Sequence, residues 1–398
     1  MIDKLYKRGV VDDILKYLDS KEAIVIYGSR QVGKTSLLKY IMKNHIKQNV
    51  FYFDLEMKEL LDLCNKGAEE VYRYLLQKGA DEKKIYLVID EIQYLEDPAK
   101  LIKVLHDHYP NVKLLVSGSS TFEIKKKFRQ SLAGRIIAFE IYPLSFEEFL
   151  VFKEKVYSLS ADNSEAINKE LVALAEEHIR FGGYPQIVLE YSEEKKKAYL
   201  SQIINTYVRK DIRDIGNIRD IDSFNKLLEA LAAQSGQLLN VLELSKTLGI
   251  NKATVLEYLT LLESTFIIKR VRPFHKNLRK ELTKSPKIFI MDTGMMHILW
   301  LKEFPKIILG NSFETFVFLE LMKSSKTVNF WRTKDKQEID FIVQGKKLYA
   351  IEAELSFRGS STSAMKFFSE EYGSESIMVG LAGQKSGKYV WELLKVLE

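Results

Sequence analysis

The sequence AIVIYGSRQVGKT, residues 23–35, decides the fold of the first part of the chain. Its first five residues are apolar, a run long enough for a buried strand and too short for a helix. The rest fits the pattern G-x-x-x-x-G-K-[ST], and the residues that follow, SLLKYIMKNHI, have helical spacing. Glycines in such a loop let main-chain N–H groups approach an anion in front of a helix N-terminus. This stretch therefore predicts a phosphate-binding loop between a strand and a helix of an α/β fold.

The residues of this loop have predicted roles in binding ATP and Mg²⁺. Lys34 is expected to contact the outer phosphates during catalysis, and the hydroxyl of Thr35 is expected to bind Mg²⁺. The alternative is a glycine-rich turn beside a structural lysine. The predicted nucleotide-binding residues are Gly28, Ser29, Arg30, Gln31, Val32, Gly33, Lys34, Thr35, Ser36 and, from a later strand, Ser117.

Two further strands and one arginine supply the rest of the predicted site. The run KIYLVIDE ends in Asp90, a predicted Mg²⁺ ligand, and Glu91, which is expected to polarise the water that attacks the γ-phosphate. Residues 112–116 form a third apolar run before Ser117, which could sense the γ-phosphate or simply form a turn. Arg135, in SLAGR, is a candidate to neutralise charge in the transition state, with a surface arginine as the alternative.

Length and composition limit the classes of protein that the chain can belong to. A chain of 398 residues is too long for one core, so we expect roughly two to four domains. Hydrophobic residues make up 46% and charged residues 29%, which is typical of a globular protein. The single cysteine, Cys64, cannot form an internal disulfide and favours a cytoplasmic location. No apolar run approaches the about 20 residues of a membrane span, so no membrane partner is expected.

Several motifs in a fixed order resemble one known group of proteins. They are GSRQVGKTSLL, VIDEIQYL, LLVSGSS, SLAGRIIAFEIYPLSFEEF, FGGYPQIVL, TYVRKDI and PKIFIMDTGM. Together they resemble prokaryotic AAA+-like P-loop ATPases of the AAA_14/DUF4143 type, whose C-terminal half is a domain of unknown function. The resemblance implies an AAA+-like core over residues 1–155 and a helical lid over 156–218. It further implies a winged helix-turn-helix over 219–285 and a restriction-endonuclease-like α/β domain over 286–398.

The predicted winged helix has a recognisable helix pair. Asn251 is expected to cap a helix over residues 252–264, in which Val255, Leu256, Leu259 and Leu262 would face inward and Tyr258 outward. In the later motif IMDTGM, Asp292 follows an apolar run, and we expect it to cap a turn, with a role in a site as the alternative.

A basic segment follows the second helix of this pair. From Lys269 to Lys287 there are eight lysines or arginines and one acid, Glu281, with Phe274 and His275 among them. Such a segment predicts sequence-independent binding of nucleic acid to its phosphates. The alternatives are a solvated basic loop and a surface that binds the acidic residues of another domain. The net charge of +6 is compatible with each of these.

The stretch EIDFIVQGKKLYAIEAEL, residues 338–355, predicts two strands that carry acidic residues. With Glu314 on a preceding helix, Asp340 and Glu352 resemble the PD-(D/E)XK nuclease layout and form a possible second metal site. That layout has a lysine two residues after Glu352, where this chain has Glu354. We therefore expect a degenerate site, with a working nuclease as the alternative. The residues that could replace the missing cation are Lys334, Lys346, Lys347 and Arg358.

The sequence as a whole predicts a Mg²⁺-dependent ATPase. Its nucleotide state would act on a winged helix and a nuclease-like domain that bind DNA or another partner. The alternatives are an ATP-dependent nuclease and a nucleotide-switched protein-interaction module that does not bind DNA. If the activating arginine comes from a second copy of the chain, hydrolysis needs a homo-oligomer.

Overall fold

The computed structural model contains two compact units. It describes residues 4–119, 131–157, 159, 163–212, 218, 220–275, 284–324, 326–356, 362–381 and 387–397. The first unit is Met1–Tyr142 with Ser264–Phe266, and the second is Pro143–Glu263 with Ile267–Glu398. The first unit ends before residue 155, the predicted end of the ATPase core. Apart from Ser264–Phe266, the predicted lid, winged-helix and nuclease-like segments fall in the second unit, and their boundaries stay predictions.

The first unit is built on a parallel sheet of five strands. They are β1 (Ala23–Gly28), β2 (Val50–Asp54), β3 (Ile85–Asp90), β4 (Val112–Ser119) and β5 (Ile136–Ile141), in the order β2-β3-β4-β1-β5. All four strand pairs are parallel. The central strands β1 and β4 are buried along their whole length, as expected for a parallel sheet between helices. The order places the end of β4 beside the end of β1, where the glycine-rich loop begins, and the end of β3 next to that of β4.

Helices connect these strands. They are α1 (Val10–Leu15), α2 (Lys34–His45), α3 (Lys58–Lys66), α4 (Ala68–Gln77) and α5 (Pro98–His108). The start of α5 is fixed locally, because the side chain of Asp97 accepts a hydrogen bond from Lys100 N and Pro98 takes the first helical position. Among the described residues, no helix has both the length and the apolar composition that crossing a bilayer requires.

The second unit begins with a helical region. Its helices are α6 (Phe146–Phe152), α7 (Glu165–Phe181), α8 (Pro185–Leu189), α9 (Glu193–Ile203), α10 (Ile221–Ala233), α11 (Val241–Leu248), α12 (Lys252–Ser264) and α13 (Thr293–Trp300). A π-helical stretch, Ile204–Asp211, continues α9. An antiparallel hairpin of β6 (Ile268–Val271) and β7 (Lys287–Ile290) lies between α12 and α13.

The C-terminal part of the second unit is an α/β region. It contains α14 (Gly310–Lys323), β8 (Thr327–Arg332), β9 (Glu338–Gln344), β10 (Leu348–Ala353), α15 (Ser363–Tyr372), β11 (Glu375–Gly380), β12 (Lys388–Tyr389) and α16 (Val390–Val396). The sheet order is β12-β11-β10-β9-β8. Strands β8, β9 and β10 are antiparallel neighbours, whereas β11 and β12 join in parallel. Whether this region belongs to the restriction-endonuclease class stays a prediction.

Two of the sequence motifs, FGGYP and MDTGM, pack against each other in the second unit. Asp292 caps α13 by accepting from Met295 N at 2.8 Å, and it also accepts from Gly183 N at 2.7 Å. The prediction that Asp292 is a cap is confirmed. A Cβ at Gly182 would lie 2.3 Å from Asp292 Oδ1, and a Cβ at Gly294 would lie 2.0 Å from the Phe181 carbonyl oxygen. These two positions therefore need glycine because side-chain or backbone atoms already fill the space.

The predicted faces of α12 are partly wrong. Asn251 does cap this helix, with Oδ1 accepting from Thr254 N at 2.8 Å. However, Leu256 is 40% exposed and Tyr258 is only 7% exposed. The ring of Tyr258 packs edge-on against Phe224 of α10, with the ring centroids 5.3 Å apart. An aromatic neighbour on a distant helix therefore decides which face is buried, and helical spacing alone could not show it.

Candidate nucleotide-binding site and a C-terminal carboxylate cluster

The glycine-rich loop starts where β1 ends. A Cβ at Gly28 would lie 2.4 Å from the carbonyl oxygen of Ile141 on β5, so only glycine fits beside the neighbouring strand. Gln31 and Gly33 have φ values of +62° and +95°. Left-handed backbone at these positions turns the chain back on itself and leads directly into α2 at Lys34. The loop can thus present main-chain N–H groups at a helix N-terminus, as an anion site requires.

The side chain of Lys34 lies inside this loop. It is 4% exposed, and its Nζ donates to the carbonyl oxygens of Gly28 at 3.2 Å and Ser29 at 2.9 Å. Burial lowers the pKa of Lys34 to about 8, although the negative charges of Glu91 and Asp90 act in the opposite direction. The acidic residues at the end of β3 thus favour the charged form of the loop lysine.

Asp90 is held at the end of β3 by donors from neighbouring segments. It is 2% exposed and accepts hydrogen bonds from the Tyr52 hydroxyl at 2.9 Å and from Glu91 N at 3.1 Å. The hydroxyl of Ser117 on β4 also donates to it. Burial, together with the charge of Asp90, raises the pKa of Tyr52 above its ordinary value, so Tyr52 keeps its proton for this bond. The carboxylate is therefore fixed in orientation at the edge of the sheet where the loop begins.

Glu91 is oriented by a residue that the sequence interpretation did not single out. Its φ is +57°, and its carboxylate accepts a hydrogen bond from the side-chain amide of Gln93. The carbonyl oxygen of the same amide accepts from Ser119 N at 3.1 Å. Gln93 therefore links the predicted catalytic base to the end of β4. Its position two residues after Glu91, in the motif DEIQ, is the only signal in the sequence.

The structure places the other predicted loop residues around the start of α2. Ser29 and Val32 are buried, Arg30 and Thr35 are partly exposed, and Gln31 and Ser36 are exposed. Ser117 lies nearby, but its hydroxyl is engaged with Asp90. The fold thus collects these residues at one edge of the sheet, and their individual contacts with a nucleotide stay predictions.

Arg135 is not part of this assembly. It precedes β5, and its carbonyl oxygen accepts from Ala23 N at 2.8 Å, at the start of β1. The glycine-rich loop leaves the other end of β1, roughly 16 Å away at the rise of a strand. The guanidinium pairs with Asp107, with Nε 2.9 Å from Oδ1 and Nη2 3.0 Å from Oδ2. This pairing, with a smaller contribution from His106, holds the pKa of Asp107 well below its usual range.

The C-terminal carboxylates gather around a buried lysine. Lys287, the first residue of β7, is 2% exposed, and its Nζ lies 2.9 Å from Glu314 Oε1 and 2.7 Å from Glu338 Oε1. Asp340 Oδ1 is 3.6 Å away. Burial disfavours the charge on Lys287, but these carboxylates outweigh it and raise its pKa. The structure therefore joins predicted site residues Glu314 and Asp340 to a cation that was not predicted.

Two carboxyl groups of this cluster, those of Glu314 and Glu352, have raised pKa values. Burial raises the pKa of Glu314 to about 7, with Lys287 opposing it. Burial, with the charge of Asp340 and a hydrogen bond to it, raises the pKa of Glu352 to about 9. The raised pKa favours the protonated form of Glu352 beside Asp340, whose Oδ2 accepts from Ala353 N at 3.0 Å.

Of the residues that could replace the missing cation, Lys347 pairs with Glu375 at 3.1 Å, and Arg358 lies outside the described residues. The cation beside the carboxylates is Lys287, which the sequence interpretation had assigned to the basic segment. Over the part of the chain that the structure describes, no three or more His, Cys, Asp or Glu side chains are arranged to hold a metal ion.

The basic segment from Lys269 to Lys287 has less free charge than its sequence suggests. Lys269, Arg272 and Lys284 are exposed. Arg270 pairs with Glu263, with Nη2 2.6 Å from Oε2, and Lys287 is buried among carboxylates. Residues 276–283 of the predicted nucleic-acid surface lie outside the described residues.

Three family models match successive parts of the chain. Residues 20–150 match the model described as an AAA domain. Residues 172–306 and 309–393 match two models described as domains of unknown function, DUF8612 and DUF4143. The first match, together with the parallel five-stranded sheet, supports an AAA+-like P-loop ATPase in the N-terminal part. The predicted likeness to AAA and DUF4143 proteins is confirmed at this level.

Curated relatives resemble most of the chain. A Haemophilus influenzae protein is 28% identical over 349 residues, which cover 85% of this chain and 83% of that protein. Protein MJ1637 of Methanocaldococcus jannaschii is 27% identical over 394 residues, 92% of this chain and 82% of that protein. A Mycobacterium tuberculosis protein, Rv2008c, is 26% identical and covers 85% of this chain and 71% of its own length. All three are described as uncharacterized proteins.

Solved structures show only weak similarity. The structure of Drosophila ORC bound to DNA has a TM-score of 0.26 and 14% identity over 33% of this chain and 87% of that chain. Drosophila ORC bound to AT-rich DNA and Cdc6 has a TM-score of 0.25 and 13% identity over 74% of this chain and 90% of that chain. Similarity at this level carries no argument about this protein.

Proposed function

We propose that this protein is a Mg²⁺-dependent ATPase whose site is the glycine-rich loop together with Asp90 and Glu91. The observation that supports this most strongly is the position of Lys34. Its ammonium lies within the loop, held by the Gly28 and Ser29 carbonyl oxygens, and interacts electrostatically with both acidic residues. A structural lysine in a turn would not need the two carboxylates that lie together at the end of β3. The residue types fit ATP, since a phosphate chain needs N–H donors and a cation, and Mg²⁺ needs oxygen ligands.

Each group has a defined task in hydrolysis. The loop N–H groups and the start of α2 bind the phosphates, and Lys34 interacts with the outer ones. Thr35 and Asp90 are the residues that would hold Mg²⁺, which supplies charge neutralisation on the phosphate oxygens. Glu91 accepts a hydrogen bond from the attacking water, for which its carboxylate must face the γ-phosphate. Gln93 fixes the direction of that carboxylate through its own hydrogen bond.

A pair of variants separates binding from hydrolysis. Glu91→Gln keeps the size of the side chain but removes the base, so we expect ATP binding close to wild type and phosphate release at least 100-fold slower. Lys39→Met on the exposed face of α2 is a matched control, for which both quantities should stay unchanged. Phosphate release by Glu91→Gln at the wild-type rate would refute the assignment of Glu91.

We further propose that Arg135 acts on the site of a second copy of the chain. Within one chain it lies at the opposite end of β1 from the loop, so it cannot reach the γ-phosphate of its own site. Hydrolysis per chain should then increase with protein concentration. Mixing Arg135→Ala with Lys34→Met chains should restore activity, because one chain supplies the intact site and the other the arginine. A rate per chain that is independent of concentration would exclude this proposal.

The ATPase is proposed to act on a nucleic-acid or protein partner through the second unit. The exposed residues Lys269, Arg272 and Lys284 support the nucleic-acid partner, since each could contact a phosphate. Changing all three to glutamine should weaken duplex binding and reduce its salt dependence. A wild-type affinity that does not depend on salt would instead favour a protein partner.

A nuclease is the less favoured alternative because Lys287 lies among the carboxylates that would bind its metal. DNA that remains intact with Mg²⁺ and with Mn²⁺ is the expected result. Cutting that Asp340→Ala abolishes would support the nuclease.

A further inference from the structure

The carboxylate cluster of the C-terminal α/β region is built around an ammonium group. Lys287 Nζ has three donors, and three carboxylates surround it, at 2.9 Å (Glu314), 2.7 Å (Glu338) and 3.6 Å (Asp340). Two of these distances are those of charge-assisted hydrogen bonds. The three carboxylates come from two elements, α14 and β9, which converge on this one side chain.

The surrounding structure is shaped to hold the lysine. Gly236 has φ +87°, and a Cβ there would lie 2.8 Å from Glu314 Oε2, so glycine leaves the room that this carboxylate needs. The ring of Phe330 on β8 lies 5.7 Å from Lys287 Nζ, within cation–π range. The backbone of Lys287 also forms an isolated antiparallel β-bridge with Leu238. Backbone, aromatic ring and carboxylates therefore hold the ammonium in one position.

A divalent cation could not join this arrangement without displacing the lysine. A metal bound to both Glu314 and Asp340 would sit about 2.0–2.6 Å from their oxygen atoms. The buried ammonium lies within 2.9 Å of Glu314 Oε1 and 3.6 Å of Asp340 Oδ1, and its charge would repel the metal. The carboxylates are also only partly available, because Glu338 accepts a second hydrogen bond, from Arg332 Nη1 at 2.9 Å.

We propose that Lys287 is the resident cation of this cluster, occupying the place of a divalent metal among Glu314, Glu338 and Asp340. The cluster then joins the β6–β7 hairpin to the C-terminal sheet and does not hydrolyse nucleic acid. A second contact supports this joint, since Phe274 N donates to the carbonyl oxygen of Phe330. Lys287 is consequently unavailable to phosphates, although it lies in the basic segment. This inference does not depend on the ATPase assignment.

Removing the ammonium tests the proposal in the full-length protein without nucleotide. Lys287→Met keeps the aliphatic volume and leaves the carboxylates without their cation. Mn²⁺ is the probe, followed by electron paramagnetic resonance and by the thermal unfolding temperature. We expect Lys287→Met to bind one more Mn²⁺ per chain than wild type. Its affinity for Mn²⁺ at this cluster should be at least tenfold higher than that of wild type. Adding Asp340→Asn should abolish the extra site, and Lys284→Met, an exposed lysine of the same segment, should behave as wild type.

A measurement on wild type keeps the proposal decidable if Lys287→Met does not fold. Ile288 and Ile339 are adjacent in sequence to residues of the cluster, and both side chains are fully buried. Bound Mn²⁺ would broaden their methyl resonances, so these resonances report on Mn²⁺ at the cluster. In wild type, we expect Mn²⁺ at about 1 mM, about ten times the protein concentration, to leave both resonances unbroadened. Broadening that disappears in Asp340→Asn would overturn the proposal. A folded Lys287→Met variant that binds no more Mn²⁺ than wild type would overturn it equally.

Discussion

The variant Tyr52→Phe removes one hydroxyl group and tests how Asp90, the proposed Mg²⁺ ligand, is held in position. Tyr52 lies on β2, the edge strand next to β3, and donates to Asp90 Oδ2 at 2.9 Å. A hydrogen bond to a charged group contributes about 1.5–3 kcal/mol. Asp90 keeps two other donors, Ser117 and Glu91 N, so the lower end of this range applies. A loss of about 1.4 kcal/mol in the transition state corresponds to a tenfold lower kcat.

Steady-state phosphate release, measured with saturating Mg·ATP, gives kcat, and calorimetry gives the Kd for the nucleotide. We expect kcat to fall about tenfold and Kd to change by less than about threefold, because Tyr52 orients Asp90 and does not belong to the glycine-rich loop. Tyr86→Phe is the matched control, since Tyr86 lies on β3 near Lys84 and its hydroxyl does not contact Asp90 among the described interactions. A kcat equal to that of wild type, or an equal fall in Tyr86→Phe, would refute the reasoning.

Three more predictions follow from buried groups. ATP affinity should decrease above about pH 8, by up to tenfold per pH unit. Burial lowers the pKa of Lys34 to about 8, so above that pH the neutral lysine must take up a proton when ATP binds. Titration calorimetry from pH 7 to 9.5 measures this decrease. Gly294→Ala should destabilise the second unit by more than about 3 kcal/mol in thermal unfolding, because the new Cβ would lie 2.0 Å from the Phe181 carbonyl oxygen. Gly310→Ala is the control and should be tolerated, because the space around Gly310 is open. Burial lowers the pKa of Lys113 from 10.5 to about 8. Between these pH values the unfolded chain binds more protons than the folded chain, so the free energy of unfolding rises with pH. In denaturant titrations, Lys113→Met should flatten that rise.

The part of the nucleotide site that is continuous in sequence could be predicted from the sequence. The loop from Gly28 to Thr35 and the pair Asp90 and Glu91 are short motifs whose conformation depends on neighbouring residues in the chain. The sheet order then brings these motifs together, as a parallel sheet with its loops at one edge requires. Tyr52 could not be predicted as a partner of Asp90, because that contact depends on β2 being the neighbour of β3.

Long-range contacts explain the errors at the C-terminal cluster. Lys287 looked like one basic residue among eight, and the carboxylates looked like ligands without a cation. Only the folded chain shows that β7 carries this lysine to α14 and β9. Lys287 pairs with acidic residues of the C-terminal α/β region, so its charge is not available on the surface. Charge density along a sequence therefore overestimates the charge that remains free on the surface.

The central claim, that the loop around Lys34 binds a nucleoside triphosphate, is tested most directly by titrating Mg·ATP into the protein in a calorimeter at pH 7.5. The account predicts one site per chain for wild type. For Lys34→Met it predicts binding at least about tenfold weaker, because a charge-assisted contact of about 1.5–3 kcal/mol is lost. No heat of binding with wild type, or the same Kd for Lys34→Met, would contradict it.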